Sequence, residues 1–237
     1  MRLVSRTRLL PAFLAAGLAL PATAAAQSTG GASAPEPAPA QPASEVALVA
    51  SPQALLGRNA TLTGTVARRA RGRVLRVQRF DEAARRWRSE ARTVVSRTGR
   101  FSLRWSPRVL GQQRLRATLQ RRRSASVTTA SAEVPVRVFR PAVATWYGPG
   151  LYGNTTACGQ VLTRELAGVA HRSLPCGTMV EVAYRGRSLV VPVVDRGPYA
   201  RGKTWDLTSA AAEQLGFTET ARIGALVQPA PRAAQSR

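Results

Sequence analysis

Met179-Val180-Glu181-Val182-Ala183-Tyr184 and Ser188-Leu189-Val190-Val191-Pro192-Val193-Val194 are two apolar runs separated by Arg185-Gly186-Arg187. Both are short, rich in β-branched residues and joined by a turn-forming segment, so the pair reads as a β-hairpin. Pro192 cannot donate a ladder hydrogen bond, and its position is expected at a strand edge or bulge. The second run delivers Asp195-Arg196-Gly197-Pro198, which puts a carboxyl at the end of a nearly all-apolar strand. Downstream, Thr208 to Leu215 is an Ala-rich helix candidate with Thr208 as N-cap and Gly216 just past its end. Ile223 to Val227 reads as a closing strand.

Upstream, residues 46–140 read as a separate unit of short strands. Thr61 to Val66, Val74 to Gln78, Phe101 to Trp105 and Val134 to Val138 alternate with period two, which puts one set of side chains inside and the arginines outside. Thr98-Gly99 and Leu110-Gly111 punctuate the runs. About seven short strands at roughly ten-residue spacing predict an immunoglobulin-like β-sandwich. The expected fold class is therefore all-β, with this sandwich (46–140) preceding a second unit (141–229) and a disordered tail (230–237).

Charge is concentrated in the first unit. The 237 residues carry a formal charge of +23, and residues 46–140 hold 22 arginines against Asp81, Glu82, Glu90 and Glu133. Arg121-Arg122-Arg123 and Arg68-Arg69 with Arg71 and Arg73 are the densest clusters. One reading is a solvated strand face in an Arg-favouring chain. The other is attraction to a polyanion, which a basic surface concentrates and salt weakens. The physics would also serve nucleic acid, but Arg2, Arg6 and Arg8 ahead of the apolar stretch Leu9 to Leu20 read as an export signal, which makes nucleic acid an unexpected partner and anionic cell-wall polymers the expected one.

Several classes drop out on composition. An apolar fraction of 44% is too high for a disordered protein. Two cysteines and one histidine supply no Cys-rich or multi-His metal site, so no metal or organic cofactor is implied. Arg2, Arg6 and Arg8 precede an apolar stretch from Leu9 to Leu20, followed by small-residue cleavage sites around Ala22 to Ala26. That is a secretory signal peptide (1–26), too short in its apolar part to span a membrane. No cysteine lies at the cleavage site, so a secreted or cell-envelope protein without a lipid anchor is expected, and no integral membrane segment after cleavage. Residues 27–45 are an Ala/Pro-rich linker.

The residues between 144 and 208 carry a resemblance. Ala144-Thr145-Trp146-Tyr147-Gly148, Thr156-Ala157-Cys158-Gly159, Val169-Ala170-His171-Arg172-Ser173-Leu174-Pro175-Cys176-Gly177-Thr178, Val194-Asp195-Arg196-Gly197-Pro198-Tyr199 and Trp205-Asp206-Leu207-Thr208 follow in order. This run resembles the RlpA-like (rare lipoprotein A) double-psi β-barrel family, related to expansins and to barrel-type lytic transglycosylases. The resemblance implies a six-stranded barrel with one short helix and an open groove for peptidoglycan glycan strands. It also implies strand cleavage as a lytic transglycosylase forming 1,6-anhydro ends. Cys158 and Cys176 fall in two motif segments that the family places near one another. Export makes their disulfide expected, worth roughly 3 kcal/mol in the chain-entropy model.

Lytic cleavage needs one carboxyl that protonates the leaving oxygen and then takes the proton of the sugar's C6 hydroxyl. Asp195 is the expected acid/base, with Asp206 and His171 assisting. Gln160, Trp146, Tyr147, Arg196 and Tyr199 are the expected substrate contacts. The structural alternatives remain open: Asp195 as a turn cap or partner of Arg196, Asp206 as a helix-start residue, His171 as a satisfied core or rim residue, and the aromatics as core. Gln160 stands where active relatives carry Glu, and an amide cannot transfer a proton at neutral pH. The second functional reading is therefore an expansin-like module that grips glycan without cutting it. A third is a secreted partner-binding protein whose basic unit does the main work.

Overall fold

The computed structural model describes residues 45–120 and 127–229. The expected signal peptide, all of the expected linker but Glu45, the Arg121-Arg122-Arg123 cluster and the expected tail lie outside the described residues. The strands are β1 (Val46–Ala50), β2 (Gln53–Leu55), β3 (Ala60–Val66), β4 (Val74–Asp81), β5 (Arg86–Val94), β6 (Arg100–Trp105), β7 (Gly111–Gln120), β8 (Val127–Ala130), β9 (Val134–Tyr147), β10 (Val169–Ala170), β11 (Met179–Tyr184), β12 (Arg187–Asp195), β13 (Trp205–Thr208) and β14 (Ala221–Val227). One helix, α1 (Ser209–Leu215), lies between β13 and β14.

In the first unit, β1, β3 and β6 form one antiparallel sheet. It covers β4, β5, β7, β8, β2 and the first half of β9. Leu62, Phe101 and Trp105 from the one side meet Leu75, Leu115, Leu119 and Val136 from the other in a shared core. Alternation along β6 and from Val74 to Val77 of β4 puts these apolar residues inside and leaves Arg76, Arg100 and Arg104 exposed.

In the second unit, β9 pairs with β13, β13 with β10, β10 with β12, β12 with β11, β11 with β14, and β14 with β9 again. The ring closes, so this six-stranded barrel has no free edge. Val169, Val180, Val182, Val193, Leu207 and Ile223 fill it. The hairpin forms as its sequence requires: Arg185 and Gly186 both take positive φ, 47° and 85°, in a two-residue turn between Tyr184 and Arg187. Pro192 lies in β12 just before the β10 ladder begins at Val193, next to the register irregularity between Val193 and Asp195. Helix α1 starts where Thr208 accepts the Ala211 N–H and ends at Gly216 in the left-handed region. Its Ala211, Ala212 and Leu215 join the barrel core.

One strand serves both units. Val134 to Val138 pairs with β7, and Arg140 to Ala144 pairs with β14. Proline would normally end a strand. Here Pro141 falls after β7 has stopped at Val138 and before β13 starts at Ala144, so β9 has a neighbour on one side only. The division at 140/141 thus lies within continuous β9, and two domains remain our proposed description. Gly224 on β14 permits the junction, because a Cβ there would sit 2.6 Å from the Cβ of Phe139. The Arg137 Nε donates to Glu181 Oε2 at 2.9 Å across the same junction.

Candidate functional site

Three neighbouring strands place two carboxyls side by side. Asp206 on β13 is paired with Ala170 on β10, and Ala170 is paired with Asp195 at the end of β12. Two inter-strand spacings separate the aspartates, about 9.5 Å at backbone level. Val169, Leu207 and Val193 point into the barrel, so alternation turns Asp206 and Ala170 outward. Ala170 is small and buried and forms the floor between the two acids. Gly168, just before it, allows Val194 to pack close, since a Cβ at 168 would lie 2.5 Å from a Val194 methyl.

Asp195 is held from two sides. Its Oδ1 accepts the Arg196 N–H and the Ala157 N–H, each at 2.8 Å. Ala157 belongs to a tight loop closed by the Thr155–Val161 bridge, by the Thr156 N–H on the Gln160 carbonyl and by the Gln160 N–H on Thr156 Oγ1. The next residue, Cys158, forms the disulfide with Cys176. The Arg196 guanidinium lies against the Cys176 sulfur at 3.2 Å, beside this bridge.

Burial raises the Asp206 pKa first. The Thr145 hydroxyl, donating to Oδ1 at 2.7 Å, and Lys203 pull it down, and the nearby charge of Asp195 pushes it further up. Tyr147, two residues beyond Thr145 on the same face of β9, brings its hydroxyl beside both acids. Burial, then Asp195, then Asp206 raise the Tyr147 pKa. The contact with Asp195 falls short of a well-formed hydrogen bond, and no other group satisfies this buried oxygen. The outcome is two carboxyls with a phenol beside them, in a setting that opposes ionisation of Asp206.

A protein family described as lytic transglycolase matches residues 142–226, the stretch that closes into the barrel. Residues 142–226 are an RlpA-like double-psi β-barrel domain. A Synechocystis protein named "Probable endolytic peptidoglycan transglycosylase RlpA" is 39% identical over 95 residues, covering 39% of this chain and 30% of its own. An Aquifex aeolicus protein of the same name is 48% identical over 76 residues, 31% of this chain and 34% of its own. The "Endolytic peptidoglycan transglycosylase RlpA" of Campylobacter jejuni is 36% identical over 75 residues, 31% of this chain and 27% of its own. The chain thus spans about a third or less of the length of these curated relatives.

The RlpA-like barrel does not bring every expected residue to the carboxyl pair. The His171 backbone N–H reaches the Asp195 carbonyl at 3.2 Å, but its ring packs on Trp205 with centroids 4.5 Å apart. Nδ1 accepts the N–H groups of Ser173 and Leu174, which assigns the ring proton to Nε2. Burial, then Arg172 and Arg196, lower its pKa. The ring lines a separate cavity of about 360 Å³ with Leu110, Arg140 and Leu174. Trp146 points to the opposite face from Thr145 and Tyr147 and donates to the Thr218 carbonyl. Gln160 contributes backbone groups to the Ala157 loop, with an exposed side chain. Tyr199 is 79% exposed on the loop between the two acids.

Three participants carried no clear sequence signal. Thr145 orients Asp206, and the Ala157 N–H orients Asp195, although a backbone donor leaves no trace in residue type. Arg172 clamps the 198–203 loop through the carbonyls of Pro198, Ala200 and Lys203. Its place beside His171 in the motif was the only available pointer. Among the described residues, no three of His, Cys, Asp and Glu converge as metal ligands.

Proposed function

We propose that this is an exported cell-envelope protein whose barrel cleaves peptidoglycan glycan strands as a lytic transglycosylase. The observation that carries the reading is the Asp195–Asp206 pair flanking Ala170 in the RlpA-like barrel. The names of its relatives, endolytic peptidoglycan transglycosylases, support the substrate class.

The chemistry follows from the two environments. Asp206, raised by burial and by its neighbour, donates its proton to the glycosidic oxygen as the bond to C1 breaks. Asp195, with Oδ1 held by two N–H groups, presents negative charge to the developing oxocarbenium ion. The Asp206 carboxylate then takes the proton of the C6 hydroxyl as that oxygen bonds to C1. The acid is regenerated, no water is consumed, and a 1,6-anhydro end results. Burial and the charge of Asp195 both raise the Asp206 pKa, which favours Asp206 over the expected Asp195 as the proton donor. Thr145 and Tyr147 orient the pair, while His171 positions the strand end through its backbone. Gln160, Arg196, Tyr199 and the rim aromatics are available to the glycan. The Arg-rich first unit, which we describe as an immunoglobulin-like sandwich, holds the protein on anionic wall polymers. Among the described residues no helix is long and apolar enough to cross a membrane.

The test is incubation of the full chain with peptidoglycan stripped of stem peptides, with soluble products read by mass spectrometry. Wild type should release anhydro-ended fragments, and Asp206→Asn and Asp195→Asn should release none while still co-sedimenting with the glycan. Wild-type binding without any product would make this a gripping barrel instead.

A further inference from the structure

The outer face of β5, β4 and β7 concentrates arginines in an arrangement that costs the fold stability. Arg76 on β4 stands directly opposite Arg92 on β5. Both are exposed, and neither has an acidic partner among the described residues. Like charges directly opposed across a ladder destabilise it. Elsewhere in the same sheet arginine is neutralised: Arg79 by Glu90 at 2.9 Å, and Arg88 by Asp81.

One step along the outer face, Arg116 on β7 faces Gln78 and donates to it at 3.0 Å, while its guanidinium lies 4.0 Å over the Trp87 ring. Trp87 is braced edge-on by Phe80, with ring centroids 5.3 Å apart, and Arg114 covers Phe80 at 4.4 Å. Stacking holds the Arg116 plane still and leaves its edge available; partial burial lowers its pKa and Glu133 opposes that shift. Arg114 is already engaged by Glu82 and Glu133 and closes the patch on that side. The result is three arginines that form no ion pair, Arg92 about 5 Å across the ladder from Arg76 and Arg116 on the diagonal from Arg76 at about 7–8 Å, with Glu133 acting on Arg116 only at longer range.

We propose that Arg76, Arg92 and Arg116 form a carboxylate-binding strip for the peptide-bearing parts of peptidoglycan. The inference rests on the wall-acting reading above and names the partner of the basic unit. A planar guanidinium takes a carboxylate through two parallel N–H bonds, and a strip of three suits a polymer that presents free carboxylates at intervals. In the reading above the barrel acids act on bare glycan, whereas this strip takes the stem peptides that bare glycan lacks. The chain therefore grips undigested wall next to the strand it works on.

The experiment measures binding of the full chain, in an Asp206→Asn background that prevents cleavage, to intact sacculi at low salt. A second sample of sacculi has its stem-peptide carboxylates amidated with ethanolamine. The triple variant Arg76→Gln/Arg92→Gln/Arg116→Gln should bind intact sacculi about tenfold more weakly, with a shallower salt dependence. A control of equal charge, Arg58→Gln/Arg97→Gln/Arg108→Gln, should lose far less. Amidated sacculi should bind the parent as weakly as intact sacculi bind the triple variant. Equal losses in the two variants would overturn the strip, leaving only net charge, and undiminished binding to amidated sacculi would overturn the carboxylate partner. The single variant Arg92→Thr guards against misfolding: it should raise Tm by relieving the opposed pair while weakening binding, and a lowered Tm would overturn the claimed cost. Fragment release from stripped glycan by the same arginine variants with Asp206 restored tests the enzymatic reading separately.

Discussion

Replacing both Cys158 and Cys176 with serine should reveal how much of the site depends on one covalent tie. The bridge spans 18 residues of sequence. In the chain-entropy model a loop of that size restricts the unfolded chain by about 3 kcal/mol. For a cooperative unit of this size, each kcal/mol moves Tm by about 2–4 °C, so the expected fall is about 6–12 °C. The assay is a thermal melt of the oxidised protein, the double variant and the oxidised protein treated with a phosphine reductant. A second readout is hydrogen exchange at the Ala157 amide, which donates to Asp195 one residue before the bridge. That amide should exchange faster in the variant, while amides in the β3–β6 sheet should not. A Tm shift below about 2 °C, with Ala157 still protected, would refute the account. The Thr155–Val161 bridge and the Thr156–Gln160 bonds would then hold the Asp195 cradle unaided.

Asp206→Asn keeps an acceptor for Thr145 and removes a carboxyl whose ionisation the fold opposes. A group with a raised folded pKa lends stability that is full below its unfolded value of 3.8 and is lost as pH rises through the folded value. Urea midpoints of Asp206→Asn should therefore gain on wild type as pH climbs from 3 to 7, while glycan cleavage falls by roughly 10²-fold or more. His171 has the opposite sign. With its folded pKa lowered, its contribution is full above the ordinary value of 6.5 and fades as pH falls through it. His171→Asn should abolish that acid slope and supply Oδ1 to the Ser173 and Leu174 amides, whereas His171→Ala should cost about 1–2 kcal/mol. A large loss of cleavage in a folded His171→Asn would return the imidazole to the reacting centre. Gly224→Ala drives a Cβ into Phe139 and should lower stability by about 1–3 kcal/mol in a denaturant titration, with unchanged stability counting against a tight junction.

The barrel was largely legible because its signals are local. The 179–194 hairpin, the Thr208 cap, the Gly216 stop and the closing strand each depend on a few adjacent residues, and each forms as read. The disulfide was legible through the order of the motifs and their resemblance to a family. The continuity of β9 was not, because Arg140-Pro141 looks like a break until the absence of a second neighbour at that point is known. Site roles were half legible. Aspartate identity and strand position can be read from residue type. The setting that opposes ionisation of Asp206, with Thr145, Tyr147 and the floor at Ala170 around it, is made by contacts across strands. The arginine strip was visible as charge alone. Its opposition of Arg76 to Arg92 is a matter of register.

Register also bears on how the two units are joined, because the single strand β9 pairs with β7 in one and β14 in the other. Pro135 on β9 lies opposite Arg114, and Thr145 on the same strand holds Asp206. Ten residues of extended chain separate them, about 33 Å. A flexible linker would let the basic face and the barrel acids sample many separations, whereas a continuous strand restricts them; wall bound at the proposed strip would then be presented to the acids at little further entropic cost. The same design makes the strand intolerant. One residue inserted between Phe139 and Arg140 would turn Thr145 and Tyr147 toward the barrel interior and Ala144 and Trp146 toward the acids, unless every pairing with β14 and β13 slipped in step. Such a variant should lose cleavage, whereas one glycine inserted in the exposed Arg97-Thr98 turn should leave cleavage intact. Equal tolerance at the two positions would mean that β9 is not the element that sets the site.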